Sequence, residues 1–131
     1  ITKKDVENLA IKETEFSVFE LTEALSKRDV NRAVELLSLM EKDTKTFTLI
    51  LNHFRRMFFI AISKESDAEL SKLLSVKEFA VTKARALAKN FSKIQLKNIY
   101  ELLADVDFYI KNGQMQIENA LYYLVFGIIF C

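Results

Sequence analysis

Proline is absent from the 131 residues, and glycine occurs only at Gly113 and Gly127. Sheet-rich folds need turn residues at their strand ends, so β-sandwiches and alternating βαβ chains are excluded. Two isolated glycines cannot form a phosphate-cradling loop or a dinucleotide fingerprint either. Tryptophan is missing, His53 is the single histidine and Cys131 the single cysteine. A zinc site draws on about four such ligands, so no metal and no cofactor is expected. A lone cysteine forms no internal disulfide, which suits a reducing compartment. The longest uncharged apolar run, Ala120 to Cys131, has twelve residues, short of the ~18–20 that a spanning helix requires. No stretch resembles a signal peptide, and the chain begins at Ile1 rather than Met. The expectation is a cytoplasmic domain cut from a longer chain, with no membrane partner.

What is present is half hydrophobic and 28% charged, with 11 phenylalanines. That composition and length suit one globular domain with one core. The expected fold is all-α, a compact bundle of about six to seven helices. Ser17-Val18-Phe19-Glu20 has the capping-box spacing and predicts a helix from there to about Arg28. Asp29 caps a second helix with Val30, Val34, Leu36 or Met40, and Leu37 inward, forming an αα-hairpin with the first. A long third helix starts at Thr44 or Thr46 and places Phe47, Ile50, Leu51, Phe54, Phe58, Ala61 and Ile62 at helical spacing. Every residue from Met57 to Ile62 is apolar, which predicts a helix covered on all sides there. Asp67 opens a short helix with Leu70, Leu73 and Leu74. The next spans about Glu78–Lys89, with Phe79, Ala80, Ala84, Leu87 and Ala88 inward. Ser92 to Gln95 is a second capping box, opening a helix with Leu96, Ile99, Leu103, Val106 and Ile110 in register that closes at Asn112-Gly113. A last helix begins near Met115.

Catalytic chemistry finds little material. Asp105 and Asp107 are two apart on a helix and diverge, so they cannot serve as an acid–base pair. One histidine leaves no nucleophile–base–orienter arrangement, and His53 is expected as a packed or surface-edge residue. No enzyme activity is expected. Net charge is +1, unevenly spread: residues 76–100 hold six basic side chains against one acidic, a local net of +5. Lys77, Lys83, Arg85, Lys89, Lys93 and Lys97 are therefore a candidate basic surface for nucleic acid or an acidic partner, or simply a solvated face. Within residues 67–97, a short helix, a tight Ser75-Val76 turn and a basic helix have the arrangement of a helix-turn-helix DNA reader. Phe79 and Val81, however, occupy positions where base-reading groups would stand. The aromatic last helix offers a second candidate surface, a partner interface at Tyr122, Tyr123, Phe126, Ile129 and Phe130. The alternative is that these residues complete the core. Gly127 permits a close helix approach there.

The ordered set of segments resembles the C-terminal region of the bacterial DNA polymerase III delta subunit family. Ile1-Thr2-Lys3-Lys4-Asp5-Val6 is similar to a segment at the end of that family's AAA+-like module. Val18-Phe19-Glu20-Leu21-Thr22-Glu23-Ala24-Leu25, then Asp29 with Ala33 to Leu37, Phe54-Arg55 and Glu69 to Val81 follow in the family's order. Phe91-Ser92 and Asp107 to Gly113 complete it. Ser75 stands where the family usually has Gly, and Glu78 where it usually has Pro.

The resemblance implies a helical collar, a non-catalytic assembly domain holding a clamp-loader ring together in DNA replication. Residues 1–12 would be the remnant of a preceding lid domain and 13–131 the collar. The implied partners are the collar domains of the gamma/tau and delta-prime subunits. The sliding clamp would be reached only through an N-terminal module outside this sequence, and DNA indirectly or weakly. A helix-turn-helix domain and a helical adaptor with an unrelated partner are the alternatives.

Overall fold

The computed structural model describes the backbone of residues 3–131 and the side chains of residues 3–4 and 16–131. Seven helices and no strands appear among the described residues: α1 (Lys3–Ser26), α2 (Val30–Leu39), α3 (Thr44–Ile62), α4 (Asp67–Leu74), α5 (Glu78–Ala88), α6 (Lys93–Lys111) and α7 (Ile117–Ile129). Short polar caps separate them. Asp43 Oδ1 accepts from the Thr46 amide at 2.9 Å, and Ser66 Oγ from the Glu69 amide at 3.2 Å. Helix α3 thus starts at Thr44, as expected, whereas the α4 cap is Ser66, one residue before the expected Asp67. The Ser92 box forms in both directions, at 3.0 and 2.8 Å. The Ser17 box does not start a helix. With neither Pro nor Gly to stop it, α1 runs unbroken from Lys3 through Ser17, so Glu20 is free to pair with Arg32 of α2 at 3.1 Å. The same helix crosses the expected boundary at residues 12 and 13, and Ile1 and Thr2 lie outside the described residues.

Three helix ends turn through left-handed residues: Arg28 (φ 56°), Ser75 (φ 55°) and Gly113 (φ 79°). Each directs the chain back onto the helix just completed. At the first, the Arg28 amide donates to Leu25 O and the Asp29 amide to Ala24 O, a Schellman closure. Asp29 then accepts from the Arg32 amide and begins α2 with no further linker. Consecutive helices therefore pair as α1–α2, α4–α5 and α6–α7 hairpins. In the last pair, Gly127 faces Leu102 so closely that a Cβ there would stand 2.7 Å from Leu102 Cδ2.

Helix α3 is the element the hairpins share, touching α1, α5, α6 and α7. Its Phe47, Ile50, Leu51, Phe54 and Met57 join one continuous core with Leu21, Leu25, Leu37, Leu96, Ile99, Leu103, Leu121, Leu124 and Ile128. Beyond Met57, Ile60 enters a second, smaller cluster with Leu70, Val81 and Ala84, which seats the α4–α5 hairpin on the end of α3.

Five inward assignments differ from expectation. Phe79 is 73% exposed, because Val81, Ala84, Leu87 and Ala88 form the buried stripe and Phe79 lies across the helix from it. Leu73 is exposed for a similar reason: α4 is a single two-turn helix with only Leu70 fully covered. The apolar end of α3 is covered on one side only, leaving Phe59 and Ile62 43% and 55% exposed. Phe58 is half-buried, stacked on Tyr100 rather than enclosed.

Two stability measurements check this packing. Phe54→Ala should lower the unfolding free energy by roughly 3–5 kcal/mol, whereas Lys97→Ala should change it by no more than about 0.5 kcal/mol. Ser75→Gly should raise stability by about 0.5–1 kcal/mol, by relieving the left-handed strain that a Cβ imposes. Urea titration followed by circular dichroism reads both.

Candidate protein–protein interface

Helix α7 is apolar on every side after Ala120, and the fold covers only part of it. Ala120, Leu121, Leu124, Val125, Ile128 and Ile129 are buried against the neighbouring helices. Tyr123, Phe126 and Phe130 fall at i, i+3 and i+7, so they share the opposite face. They remain 52%, 41% and 75% exposed. Glu118 is the only charged residue between Ile117 and Ile129, and no ion pair among the described residues shields the stripe. Tyr122 is half-buried, with the Lys42 ammonium 5.9 Å from its ring centroid. Ile129, expected with the interface, belongs to the core: its position places it on the Leu121–Val125 side of the helix. The candidate interface thus narrows to Tyr123, Phe126 and Phe130, with Tyr122 at its edge.

The six basic residues divide between α5 with its caps and the start of α6, and two of them are engaged within the fold. Arg85 Nε donates to Asp67 Oδ1 at 2.8 Å and its Nη2 to Glu65 O at 3.0 Å. Lys83 is half-buried, its ammonium 5.4 Å from the Phe19 centroid and 5.9 Å from that of Phe79. Lys77 caps α5 and Lys89 ends it, whereas Lys93 and Lys97 belong to α6; these four are exposed. Thr82 of α5 also donates to Asp67, at 2.6 Å, and this bond with that of Arg85 holds the Asp67 carboxyl below its usual range. Two polar side chains of α5 are thereby engaged inside the hairpin, leaving Glu78 and Phe79 prominent at its start. That is poor equipment for reading base edges.

Among the described residues no group of three His, Cys, Asp or Glu side chains could hold a metal ion. No helix among them is long and apolar enough to cross a membrane. The charged side chains around the α1–α2 depression, a space of about 220 Å³, are largely paired with one another: Lys27 with Glu23 at 3.0 Å and Arg32 with Glu20 at 3.1 Å. The exposed Phe59, Ile62 and Tyr100 were not anticipated as surface. The readable signal was Arg55, which sits at i−4 from Phe59 and i−7 from Ile62 and so marks the outward face.

The described residues thus form an all-α bundle with an uncharged aromatic stripe exposed on α7. Residues 15–128 match the family model for the DNA polymerase III delta subunit, C-terminal domain. The chain belongs to that family. It is 30% identical over 121 residues to the DNA polymerase III subunit delta of Bacillus subtilis (strain 168), covering 87% of this chain and 35% of the relative. Its fold is similar to that of the Bacillus subtilis DNA clamp loader delta protein, with a TM-score of 0.79 at 25% identity, over all of this chain and 41% of that one. The chain therefore spans well under half the length of these two relatives.

His53 belongs to the core rather than to any site. It lies on the inner side of α3, edge-on to Phe19 with ring centroids 4.7 Å apart, and Nε2 has no hydrogen-bond partner among the described residues. Burial pushes its pKa from 6.5 down to about 4, with the charge of Arg56 adding to the effect. The imidazole is thus neutral in the fold, while the unfolded chain takes up the proton below its ordinary pKa. Stability from this residue is full above pH ~6.5 and falls as pH drops toward ~4, by roughly 3 kcal/mol in all. Urea titrations at pH 7.5, 6, 5 and 4.5 should show that decline, and His53→Leu should flatten it.

Proposed function

We propose that this chain is a non-catalytic assembly domain of a bacterial clamp loader, packing against the helical domains of sister subunits. The observation that carries the reading is the uncharged stripe of Tyr123, Phe126 and Phe130 left open on α7. Aromatic anchors surrounded by covered apolar residues are the composition of interface centres rather than of solvated helix faces. Membership of the delta C-terminal family supplies the setting in which such a surface has a use. The partners on this reading are the collar domains of gamma/tau and delta-prime. The sliding clamp would be engaged by a separate N-terminal module, and the subunit would work in the cytoplasm. Residues 13–131 would form the collar and residues 1–12 its lead-in, with α1 common to both. Nucleotide chemistry would lie elsewhere in the assembly, because this sequence offers no backbone amide nest with a phosphate-facing lysine.

Sedimentation velocity tests the reading directly. Mixed with the collar domains of the gamma/tau and delta-prime subunits from its own organism, this chain should co-sediment. Phe126→Asp and Tyr123→Asp should each weaken association at least tenfold while leaving the helical circular-dichroism spectrum unchanged, because a desolvated carboxylate is costly in an apolar interface. Tight binding to the sliding clamp without association to the collar domains would contradict the assignment.

A further inference from the structure

Gly127 has no side chain to hold α7 away from α6, and a Cβ there would stand 2.7 Å from Leu102 Cδ2. The seam between the two helices is therefore close. On α7, Tyr123 and Phe130 stand at i−4 and i+3 from Gly127 and so border the seam. On α6, Asn98, Asp105 and Tyr109 stand at i−4, i+3 and i+7 from Leu102 and border it from the other side. Asn98 and Asp105 are exposed, and Tyr109 is 38% exposed. The uncharged stripe of α7 thus continues across the seam onto a flank of α6 that carries one aromatic ring and one carboxylate.

The charge of this flank is one-sided. No Lys or Arg occurs from Asn98 to Ile110 or from Asn112 to Cys131, whereas Glu101, Asp105, Asp107 and Glu118 fall within those stretches. Lys111 is bound to Asp107 at 3.0 Å, and Lys97 stands at i−4 from Glu101. Asp105 has no such companion. Its neighbours at three and four residues are Glu101, Leu102, Phe108 and Tyr109, and no ion pair among the described residues includes it. The cations at the other margins of the stripe are turned to the backbone. Lys42, beside Tyr122, donates to Met40 O at 3.2 Å, and Arg28, toward the Cys131 end, donates to Ser26 O at 3.2 Å. A partner that covers Tyr123, Phe126 and Phe130 therefore brings its rim against an unpaired carboxylate on the α6 side. An acidic rim would be repelled there, and an apolar one would desolvate Asp105 without return. A Lys or Arg at that point gains from it. We propose that the partner surface is a two-helix face, α7 together with the Asn98–Tyr109 flank of α6, seating a sister-subunit helix that sets apolar residues on the α7 stripe and a Lys or Arg against Asp105. The inference rests on the assembly reading and names the chemistry of its partner.

Surface plasmon resonance tests it, with this chain immobilised and the gamma/tau and delta-prime subunits of its own organism as analytes, from ~50 to ~500 mM salt. Association should slow as salt rises. Asp105→Lys should cut the association rate roughly tenfold at ~50 mM salt, with the difference gone near ~500 mM. Asp105→Asn should give a smaller change of the same sign, and neither exposed substitution should alter the circular-dichroism spectrum. Tyr109→Ala should speed dissociation about fivefold or more at every salt concentration. Phe126→Asp separates the two readings. If it weakens association while Asp105→Lys and Tyr109→Ala bind as the parent chain does, the α7 interface stands and the α6 flank is overturned. If Phe126→Asp changes nothing, the assembly reading itself fails and this inference with it. Faster association of Asp105→Lys would reveal an acidic partner rim and equally overturn the proposal.

Discussion

Everything in this bundle is arranged around a helix that must touch four others. Helix α3 packs against α1, α5, α6 and α7, and a helix so placed needs apolar residues over a wide arc rather than a narrow stripe. Its sequence supplies them, from Phe47 through Ile50, Leu51, Phe54 and Met57 to Ile60, and even its inner histidine is buried. The hairpins α1–α2 and α6–α7 close over this arc within one core, and α4–α5 attaches through Ile60. Losing the Phe54 ring would therefore loosen contacts among several helices at once. The outer arc of α3, with Arg55, Phe59 and Ile62, is what remains for solvent.

Tight connections make the arrangement possible without proline. The left-handed residues Arg28, Ser75 and Gly113 each end a helix and reverse the chain, so the linkers cost little loop entropy. Only Gly113 adopts that conformation without a Cβ. At Arg28 the strain coexists with a guanidinium 5.1 Å from the Phe91 ring centroid and a 3.2 Å bond to Ser26 O. At Ser75 the turn is closed by the Val76 amide donating to Ser71 O, with the Ser71 hydroxyl donating to Val76 O.

The fold class was legible because two glycines and no proline leave few alternatives, and because α6 carries its signals in full. Its capping box, its buried Leu96, Ile99, Leu103 and Val106, and its Gly113 stop all lie where spacing places them. The start of α1 was not legible, since a capping-box pattern describes a possible start and cannot forbid helix upstream of it. Phe79, Leu73, Phe59 and Ile62 were misplaced for a common reason: periodicity finds apolar residues but does not count how many neighbours a helix has. The α7 surface was half legible. Its excess of aromatics could be read, but separating Ile129 from Phe130 needs the position of the core. The delta-family resemblance rested on weak segments in the right order, and the match over residues 15–128 bears that order out.

The proposed assembly role rests on the two sides of α7. One side, from Leu121 to Ile129, completes the core; the other, Tyr123, Phe126 and Phe130, is left exposed. A domain that had only to fold itself would gain from polar residues at those three positions. The most direct test is cryo-electron microscopy of the clamp loader assembled with this chain in its delta position. The account predicts that a neighbouring subunit's helical domain covers Tyr123, Phe126 and Phe130. An assembled ring in which those three side chains face solvent while another surface of the domain makes the contact would contradict it.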